Sequence, residues 1–144
     1  MTAEAKKTVV LTGASRGIGH ATVKRFSKEG WRVITCSRDA IPDECKYDPN
    51  WTDHITVDLG QPEETDRFVE QALKILDGKP VHALVNNAAV SPKTAFKERL
   101  GILNGDVAAW REVFELNFFA PLKLARGLAK PLHLAELRAL VGEM

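Results

Sequence analysis

The sequence predicts an α/β protein with a doubly wound parallel sheet, that is, a sheet covered by helices on both faces. Short β-branched and apolar runs alternate with segments whose apolar residues recur at helical spacing, the pattern of successive βαβ units. The first of these runs passes directly into a turn with three glycines and then into a helical pattern. With 144 residues, 44% of them hydrophobic, the chain has the length and composition of one globular domain.

Three strands and one helix are predicted in the first part of the chain. Residues 8–12 form a buried first strand, and the helix after the glycines ends at Gly30, because glycine is favoured just beyond a helix C-terminus. The apolar face predicted for that helix consists of Ile18, Ala21, Thr22 and Phe26. Residues 31–36 and 54–59 are the second and third strands, and the polar, proline-containing stretch 38–53 between them is a loop.

Two longer helices flank the fourth predicted strand, residues 81–89, which runs into a polar turn. Pro62 begins the first helix, because proline suits a first helical turn. Its apolar stripe comprises Phe68, Val69, Ala72, Leu73 and Leu76. After a loop at 93–105, Asp106 caps a helix that extends to about residue 130. The residues of this helix predicted to face inward are Trp110, Val113, Phe114 and Leu122.

The pattern changes after residue 132. Residues 133–144 predict a separate, short amphipathic helix, whose apolar side carries Leu134, Leu137, Leu140 and Val141. No fifth strand pattern precedes it, so the predicted sheet is incomplete, with strands 1–4 present and later strands missing. The fourth strand is left with an unpaired apolar edge, a feature that invites aggregation or pairing with another chain.

Composition and charge argue against several classes of function. A formal net charge of +1 gives the chain no electrostatic attraction for nucleic acid or for an anionic membrane. No apolar run approaches the roughly 18 residues of a membrane span, and residues 1–10 lack the apolar core of a signal peptide, so we expect a cytoplasmic protein. Cys36 and Cys45 lack metal-type spacing, and we predict two free thiols and no metal site.

The glycine-rich stretch VVLTGASRGIGHA, residues 9–21, predicts a nucleotide-binding turn, although its glycine spacing differs from the G-x-G-x-x-G of most dinucleotide-binding folds. Gly13, Gly17 and Gly19 follow G-x-x-x-G-x-G spacing. Glycine adopts backbone angles closed to other residues and lets phosphate oxygens approach the amides, while the helix that begins there directs free N–H groups and its positive dipole end at the anion. No Gly-Lys-Ser/Thr follows, which excludes a Walker-type loop. On the glycine pattern alone, a purely structural turn is the alternative.

Four motifs together resemble those of the short-chain dehydrogenase/reductase family. They are TGASRGIG at 12–19, VDL at 57–59, NNAA at 86–89 and Asn117 within FELNFFAP, in family order and at family-like spacing. The resemblance covers roughly residues 6–132 and makes residues 1–132 the dinucleotide-binding Rossmann half of such a domain. It implies hydride transfer between a nicotinamide cofactor and a small carbonyl or alcohol substrate, and homo-oligomers formed through the helix 106–130.

The resemblance also implies a role for each matching residue. Asp58 would hydrogen-bond the adenine amino group, and Asn117 would hold a water of the catalytic proton relay; an exposed strand-end carboxylate and a buried helix-kink asparagine are the alternatives. Asn86 and Asn87 would brace the sheet. The cofactor-binding residues implied are Thr12, Gly13, Ser15, Arg16, Gly17, Ile18, Gly19, Ser37, Arg38, Asp58, Leu59, Asn86 and Ala88.

The choice of cofactor depends on the residue at the end of the second strand. An acidic residue there would bond both ribose hydroxyls of NAD(H) and repel the 2′-phosphate of NADP(H). In this sequence Ser37 occupies that place, Arg38 follows it, and Arg16 lies in the glycine turn. Because arginine matches phosphate geometry, we predict NADP(H) over NAD(H), although Asp39 lies nearby.

The serine, tyrosine and lysine that perform the chemistry in this family have no counterpart in the sequence. The single tyrosine, Tyr47, is followed four residues later by Trp51 rather than by lysine. A tyrosine whose pKa is lowered by a neighbouring lysine is the family's general acid/base. Two interpretations therefore stay open. The chain is either the cofactor-binding half of an NADP(H)-dependent oxidoreductase, or a truncated, non-catalytic nucleotide-binding module or remnant.

Overall fold

A computed structural model describes residues 5–142 of the chain and the side chains of residues 5–139. Within them, four parallel strands form one sheet in the order β3-β2-β1-β4. The strands are β1 (Thr8–Thr12), β2 (Arg32–Ser37), β3 (Trp51–Thr56) and β4 (Ala83–Val85). The helices are α1 (Gly17–Lys28), α2 (Pro62–Leu76), α3 (Val107–Phe114), α4 (Ala120–Gly127) and α5 (Ala129–Gly142), with a 3₁₀ turn at Asp43–Cys45 and a π-helical turn at Glu115–Phe119.

The strand order reverses beside β1. The chain proceeds from β1 outward through β2 to β3, and then returns to place β4 on the opposite side of β1. In open parallel sheets, ligands bind in the crevice beyond the carboxyl ends of the strands at the point of such a reversal. Here the segments that follow β1 and β4 border that crevice.

Alternate side chains of the strands enter two separate hydrophobic cores, one on each face of the sheet. Val9 of β1 belongs to the same core as Val23 of α1. The next residue, Val10, belongs to the core formed with Phe68 of α2 and Leu124 of α4. Because successive side chains of a strand point to opposite faces, these helices cover both sides of the sheet, which confirms the predicted doubly wound α/β fold.

The third strand does not have its predicted bounds of 54–59. It spans Trp51–Thr56, so the predicted loop 38–53 is shorter than expected, and it contains the 3₁₀ turn. Trp51 is only 4% exposed, and its indole N–H donates to the buried Thr35 hydroxyl of β2 at 2.7 Å. A partner on the neighbouring strand therefore fixes where β3 begins, and the last three predicted residues follow β3 as an irregular segment.

The second and fourth strands also differ from prediction at their ends. β2 begins and ends one residue later than the predicted 31–36, and β4 is only three residues long, against the predicted 81–89. Within residues 5–142, β4 pairs with β1 alone, so its other edge is unpaired as expected.

Four helices bury faces that differ in part from the predicted ones. In α1, Ile18 and Ala21 are exposed, and the buried residues are Gly19, Val23 and Ser27. The predicted stripe of α2 is correct except at Leu73, which is exposed. Along α3 and α4, Phe114 and Leu122 are exposed, whereas Ala120 and Leu124 are buried. A wide apolar stripe does not by itself identify the residues that face the sheet, because the packing partners select them.

The predicted helix ends are confirmed where a residue type has a specific role. Gly30 follows α1 with a φ of +79°, a conformation that favours glycine. Pro62 is in the first turn of α2, and the Asp106 side chain accepts a hydrogen bond from the Ala109 amide at 2.7 Å at the start of α3.

The last helix, α5, runs across the predicted boundary at residue 132. Leu134 is half-buried and Leu137 is exposed, while the side chains of Leu140 and Val141 lie outside the described residues. The predicted start of a separate helix at residue 133 is therefore wrong, because α5 begins at Ala129. The division of the chain into two domains at residue 132 stays a prediction. Among the helices described, none combines the length and the apolarity that a membrane crossing requires.

Candidate functional site

A cavity of about 530 Å³ opens at the carboxyl edge of the sheet. Five segments line it, namely the glycine turn after β1, the end of β2 with the residues that follow, the segment before α2, the turn after β4, and the π-helical turn through Leu116. Its volume lies in the range of pockets that hold small ligands and cofactors. The cavity therefore occupies the crevice that the reversal of strand order creates.

Three glycines give the turn after β1 a shape that larger residues cannot adopt. Gly13 and Gly17 have φ angles of +72° and +58°, in the left-handed region that favours glycine. Gly19 lies in the first turn of α1, where a Cβ atom would overlap the carbonyl oxygen of Gly13 and lie 2.5 Å from the Asn87 Nδ2 atom. The first two glycines are needed for backbone conformation, and the third is needed for close approach.

The beginning of α1 lies at the cavity. Arg16, Gly17 and Ile18 line the cavity, and Arg16, which precedes the helix, makes no side-chain hydrogen bond that would cap it. The first turn of α1 contains no acidic residue. A helix N-terminus without a side-chain cap presents free N–H groups and a partial positive charge, which together suit an anionic ligand such as a phosphate.

Thr12 and Asn87 tie the glycine turn to the turn after β4. The buried Thr12 hydroxyl accepts hydrogen bonds from the amides of Asn87 and Ala88, at 3.1 and 3.0 Å. The Asn87 side-chain amide donates to the carbonyls of Thr12 and Gly13, both at 3.1 Å. Four hydrogen bonds thus hold together the two walls of the cavity that come from neighbouring strands, and Ala88 is fixed at the cavity surface.

The wall beyond β2 is shaped by a hydrogen-bond network that includes His54. The Ser37 hydroxyl donates to the carbonyl of Asp39 at 2.6 Å, and His54 Nε2 lies 2.9 Å from the same oxygen. His54 Nδ1 lies 2.7 Å from the Thr35 hydroxyl. The hydroxyl of Ser37 is therefore engaged in local structure, while Arg38 between the two bonded residues is exposed.

Asp58, in the segment that follows β3, is held by contacts on both sides. Its side chain accepts a hydrogen bond from the amide of Gly60 at 2.9 Å, and its own amide donates to the carboxylate of Glu64 in α2. The hydrogen bond from Asp58, helped by the Arg67 side chain, lowers the pKa of Glu64. Leu59 beside it is 5% exposed and also lines the cavity.

Asn117 lies in the π-helical turn between α3 and α4, a type of helix defect often found at functional sites. Its side chain accepts a hydrogen bond from the amide of Val90 at 2.8 Å and donates to the carbonyl of the same residue at 2.8 Å. Val90 lines the cavity, whereas Asn117 does not. The described contacts of the Asn117 side chain thus position the turn after β4, and its role in a proton relay stays a prediction.

The structure brings most of the predicted cofactor residues together around one cavity. Those that line it are Gly13, Ser15, Arg16, Gly17, Ile18, Gly19, Ser37, Arg38, Asp58, Leu59 and Ala88. Thr12 does not line the cavity but holds lining residues through its hydrogen bonds. Asn86 is exposed and does not line the cavity, whereas its neighbour Asn87 does. Tyr47 is 93% exposed and lies outside the lining.

Cys36, at the end of β2, forms part of the cavity floor and is inaccessible to solvent. Burial raises the pKa of its thiol to about 12, so the thiol is neutral at physiological pH. A neutral buried thiol behaves as a small apolar side chain, and Cys36 therefore contributes packing rather than a nucleophile.

We expect the chain to lose stability as the pH falls from 7.5 to 5.5. Burial lowers the pKa of His54 and His82 below the ordinary value of 6.5, and for His82 the charges of Lys7 and Arg138 add to the effect. His82 Nδ1 also accepts a hydrogen bond from the Thr8 amide at 3.0 Å, which requires an unprotonated nitrogen. The unfolded chain therefore takes up protons first, and the folded state loses stability below about pH 6.5.

The measurement is the urea midpoint at half-unit steps of pH, for the natural sequence and for His82→Asn. The asparagine carbonyl accepts the same hydrogen bond without titrating, so the variant should show a smaller decrease over this range. An identical pH dependence in both proteins would contradict the role given to His82. Carboxylates do not interfere, because they titrate below this range.

Comparison with known proteins identifies the family to which the chain belongs. A family model described as short chain dehydrogenase matches residues 7–138. Protein FixR of Bradyrhizobium diazoefficiens is 47% identical over 131 residues, which are 90% of this chain and 47% of FixR. L-rhamnose 1-dehydrogenase (NADP(+)) of Thermoplasma acidophilum is 31% identical over 130 residues, 85% of this chain and 49% of that enzyme.

A solved structure shows the same fold. It is an oxidoreductase of the short chain dehydrogenase/reductase family from Brucella ovis, in complex with a partially ordered NAD. Its sequence is 52% identical, with a TM-score of 0.80 over 89% of this chain and 58% of that one. The chain thus spans about half the length of the curated relatives it matches. Because the family model covers nearly all of it, the chain belongs to the short-chain dehydrogenase/reductase family of oxidoreductases, and it corresponds to the N-terminal half of that family's domain.

Proposed function

We propose that the chain is the cofactor-binding half of a cytoplasmic NADP(H)-dependent oxidoreductase that transfers hydride to or from a small carbonyl or alcohol compound. The observation that carries the proposal is the cavity at the strand-order reversal, where the free amides of α1 meet the turn after β4. These amides would hold the pyrophosphate. Asp58 would hydrogen-bond the adenine amino group, and Leu59 would lie beside the adenine ring. A net charge of +1 favours neither nucleic acid nor a membrane as partner.

The preference for NADP(H) rests on the charges at the wall beyond β2. Two relatives differ in nucleotide, since the Thermoplasma enzyme is named for NADP(+) and the Brucella protein was crystallised with NAD. In this chain the position at the end of β2 holds Ser37, and Arg16 and Arg38 line the cavity near it. Asp39 also lines it, but it lies two residues beyond the position where an acid would select NAD(H). Two guanidinium groups therefore favour a ribose that carries a 2′-phosphate.

We expect Arg38→Asp to weaken NADPH binding by roughly 100-fold, which corresponds to about 2.7 kcal/mol. The change removes one cation from the 2′-phosphate and places an anion beside it, whereas NADH has no phosphate there to repel. NADH affinity should change less than about threefold. Nucleotide fluorescence titrations of both cofactors with the purified chain measure this, and they also test the proposed function, because no saturable binding of either cofactor would overturn it.

Arg99→Asp is the matched control for this experiment. Arg99 is exposed, and it lies in the segment before α3, outside the cavity lining. The control makes the same change in net charge, so it should leave the ratio of NADPH to NADH affinity unaltered. Equal losses for both cofactors in Arg38→Asp would refute the assignment of Arg38 to the 2′-phosphate while leaving the cofactor site itself in place.

The alternative is a nucleotide-binding module without catalysis. It is favoured by the position of Tyr47, which is 93% exposed and does not line the cavity. Without a tyrosine and lysine at the nicotinamide, proton transfer to the substrate has no donor. The same preparation should therefore bind NADPH and show no steady NADPH oxidation with a panel of aldehydes and ketones. Steady turnover by the 144-residue chain would exclude the non-catalytic alternative.

Self-association through the helical segment 106–130 is part of the same proposal. Its support is an exposed apolar surface on α3, the π-helical turn and α4, formed by Phe114, Phe118, Phe119 and Leu122, which are 45–56% exposed. Contiguous exposed apolar side chains of this kind are typical of interfaces. A second copy of the chain is the partner that the proposal names.

A further inference from the structure

The side chains of His20, Glu44 and Cys45 meet at a place that the nucleotide cavity does not include. His20 lies in α1, while Glu44 and Cys45 lie in the 3₁₀ turn after β2. His20 Nε2 is 3.3 Å from Cys45 Sγ, and one donor atom from each of the three residues lies within 4.8 Å of the others. Within the described part of the chain, this is the one group of three His, Cys, Asp or Glu side chains close enough together to hold a metal ion.

We propose that these three side chains form a binding site for a divalent metal ion of the zinc type, bound by His20 Nε2, the Cys45 thiolate and a Glu44 oxygen, with a water completing four-coordination. Zinc accepts nitrogen, sulfur and carboxylate ligands, and three protein donors with one open position are a common set. The mixture of a thiolate and an imidazole disfavours magnesium and calcium, which take oxygen ligands.

The distances suit this ion without movement of the backbone. With Zn–S at about 2.3 Å and Zn–N at about 2.0–2.1 Å, tetrahedral geometry separates the sulfur and nitrogen by roughly 3.5 Å. The separation of 3.3 Å between Cys45 Sγ and His20 Nε2 is close to that value. Glu44 is exposed, so its carboxylate can complete the set by rotation of a side chain in solvent.

Contacts that involve none of the three ligands hold the two segments together. Ser27 of α1 donates a hydrogen bond to the carboxylate of Asp48, at 2.6–2.8 Å to its two oxygens, and Asn50 Nδ2 donates to the Ser27 carbonyl at 2.9 Å. These bonds fix the end of the loop against α1 just beyond the turn that carries Cys45. The site is therefore preorganised, and an ion would not have to assemble it from separate segments.

His20 lies beside an aromatic ring, and Cys45 is buried near the charge of Lys24. The His20 ring lies 6.1 Å from the ring of Trp51, and Cys45 is 7% exposed. Burial raises the pKa of the Cys45 thiol, while the charge of Lys24 opposes this effect. Metal binding forms the metal–sulfur bond and releases the thiol proton to solvent. The bound ion would connect α1 to the loop after β2, and so stabilise the wall that carries Arg38.

The experiment is a titration of the chelator-treated, reduced chain with Co²⁺, which reports a thiolate ligand through a near-ultraviolet charge-transfer absorption. We expect one Co²⁺ per chain, displacement by Zn²⁺, and a higher thermal midpoint with Zn²⁺. Cys45→Ser should abolish the absorption, and Glu44→Gln should weaken binding about tenfold. Glu44 is exposed, so its variant keeps the test valid if Cys45→Ser does not fold.

The matched control is Cys36→Ser, which changes the other cysteine of the chain. The control should retain the charge-transfer absorption and the stoichiometry. Absence of the absorption in the natural sequence, or its loss in Cys36→Ser with retention in Cys45→Ser, would overturn the proposal. Because the titration contains no nucleotide, its outcome is independent of whether the chain binds NADP(H).

Discussion

Replacing Thr12 with valine is expected to lower the free energy of unfolding by about 2–4 kcal/mol, because two partly buried amides lose their acceptor. Thr12 is 1% exposed, and its hydroxyl accepts hydrogen bonds from the amides of Asn87 and Ala88. Valine has nearly the same shape, so packing is retained and the effect isolates the hydroxyl. Urea unfolding of the purified variant measures the loss. NADPH affinity should decrease as well, because Ala88 lines the cavity.

Two controls separate the hydroxyl from other effects of the substitution. Thr12→Ser keeps the acceptor and removes only the methyl group, so it should cost less than about half as much as Thr12→Val. Thr22→Val removes the hydroxyl that donates to the Ile18 carbonyl on the exposed side of α1, and should change stability by less than about 0.5 kcal/mol. A Thr12→Val variant as stable as Thr12→Ser would show that the two amides find other partners.

The parts of the fold that could be predicted from the sequence are those decided by local chemistry. Gly30 ends α1 because it adopts a positive φ, and Pro62 begins α2 because the first turn does not need its amide. Asp106 caps α3 through a hydrogen bond to a residue three positions away. Each of these effects depends on residues within one turn of the chain, so a single sequence contains the necessary information.

The parts that could not be predicted depend on partners distant in sequence. The start of β3 follows from the hydrogen bond between Trp51 and Thr35, two residues whose adjacency exists only once β2 and β3 pair. Phe114 and Leu122 lie at apolar positions of their helix, yet the sheet packs against the side that carries Leu124. Periodicity identifies which residues can share a face, and only the packing partners determine which face is buried.

In the candidate site, too, features set by neighbouring residues could be predicted and features set by distant partners could not. The glycine turn and the residues at 58–59 could be predicted because each motif is contiguous in sequence. His54, which supports the wall at Asp39, gave no signal, because its role requires a neighbouring strand. The group of His20 and Cys45 likewise has no recognisable spacing, since 25 positions separate the two residues and only the approach of the loop to α1 brings them together.

Replacing Gly19 with alanine is expected to abolish tight cofactor binding, with a loss of at least roughly 100-fold in NADPH affinity, or about 2.7 kcal/mol. The added Cβ would overlap the Gly13 carbonyl oxygen and approach the Asn87 side chain, so the turn must move away from α1. The amides that would hold the pyrophosphate then no longer converge. Unfolding should become easier by about 1–3 kcal/mol, the usual cost of overpacking. Fluorescence titration and urea unfolding give the two values.

Gly78→Ala distinguishes this steric effect from the general cost of removing a glycine. Gly78 has a φ of +75° with no atom within 4 Å of an added Cβ, and it lies in the turn after α2, away from the cavity. Alanine there should cost about 1–2 kcal/mol of stability through backbone strain alone, with NADPH affinity unchanged. Gly19→Ala should instead lose NADPH affinity, because its φ is not in the left-handed region and its effect comes from contact with Gly13. If both variants lost stability equally and both retained NADPH affinity, close packing at Gly19 would not be what shapes the turn.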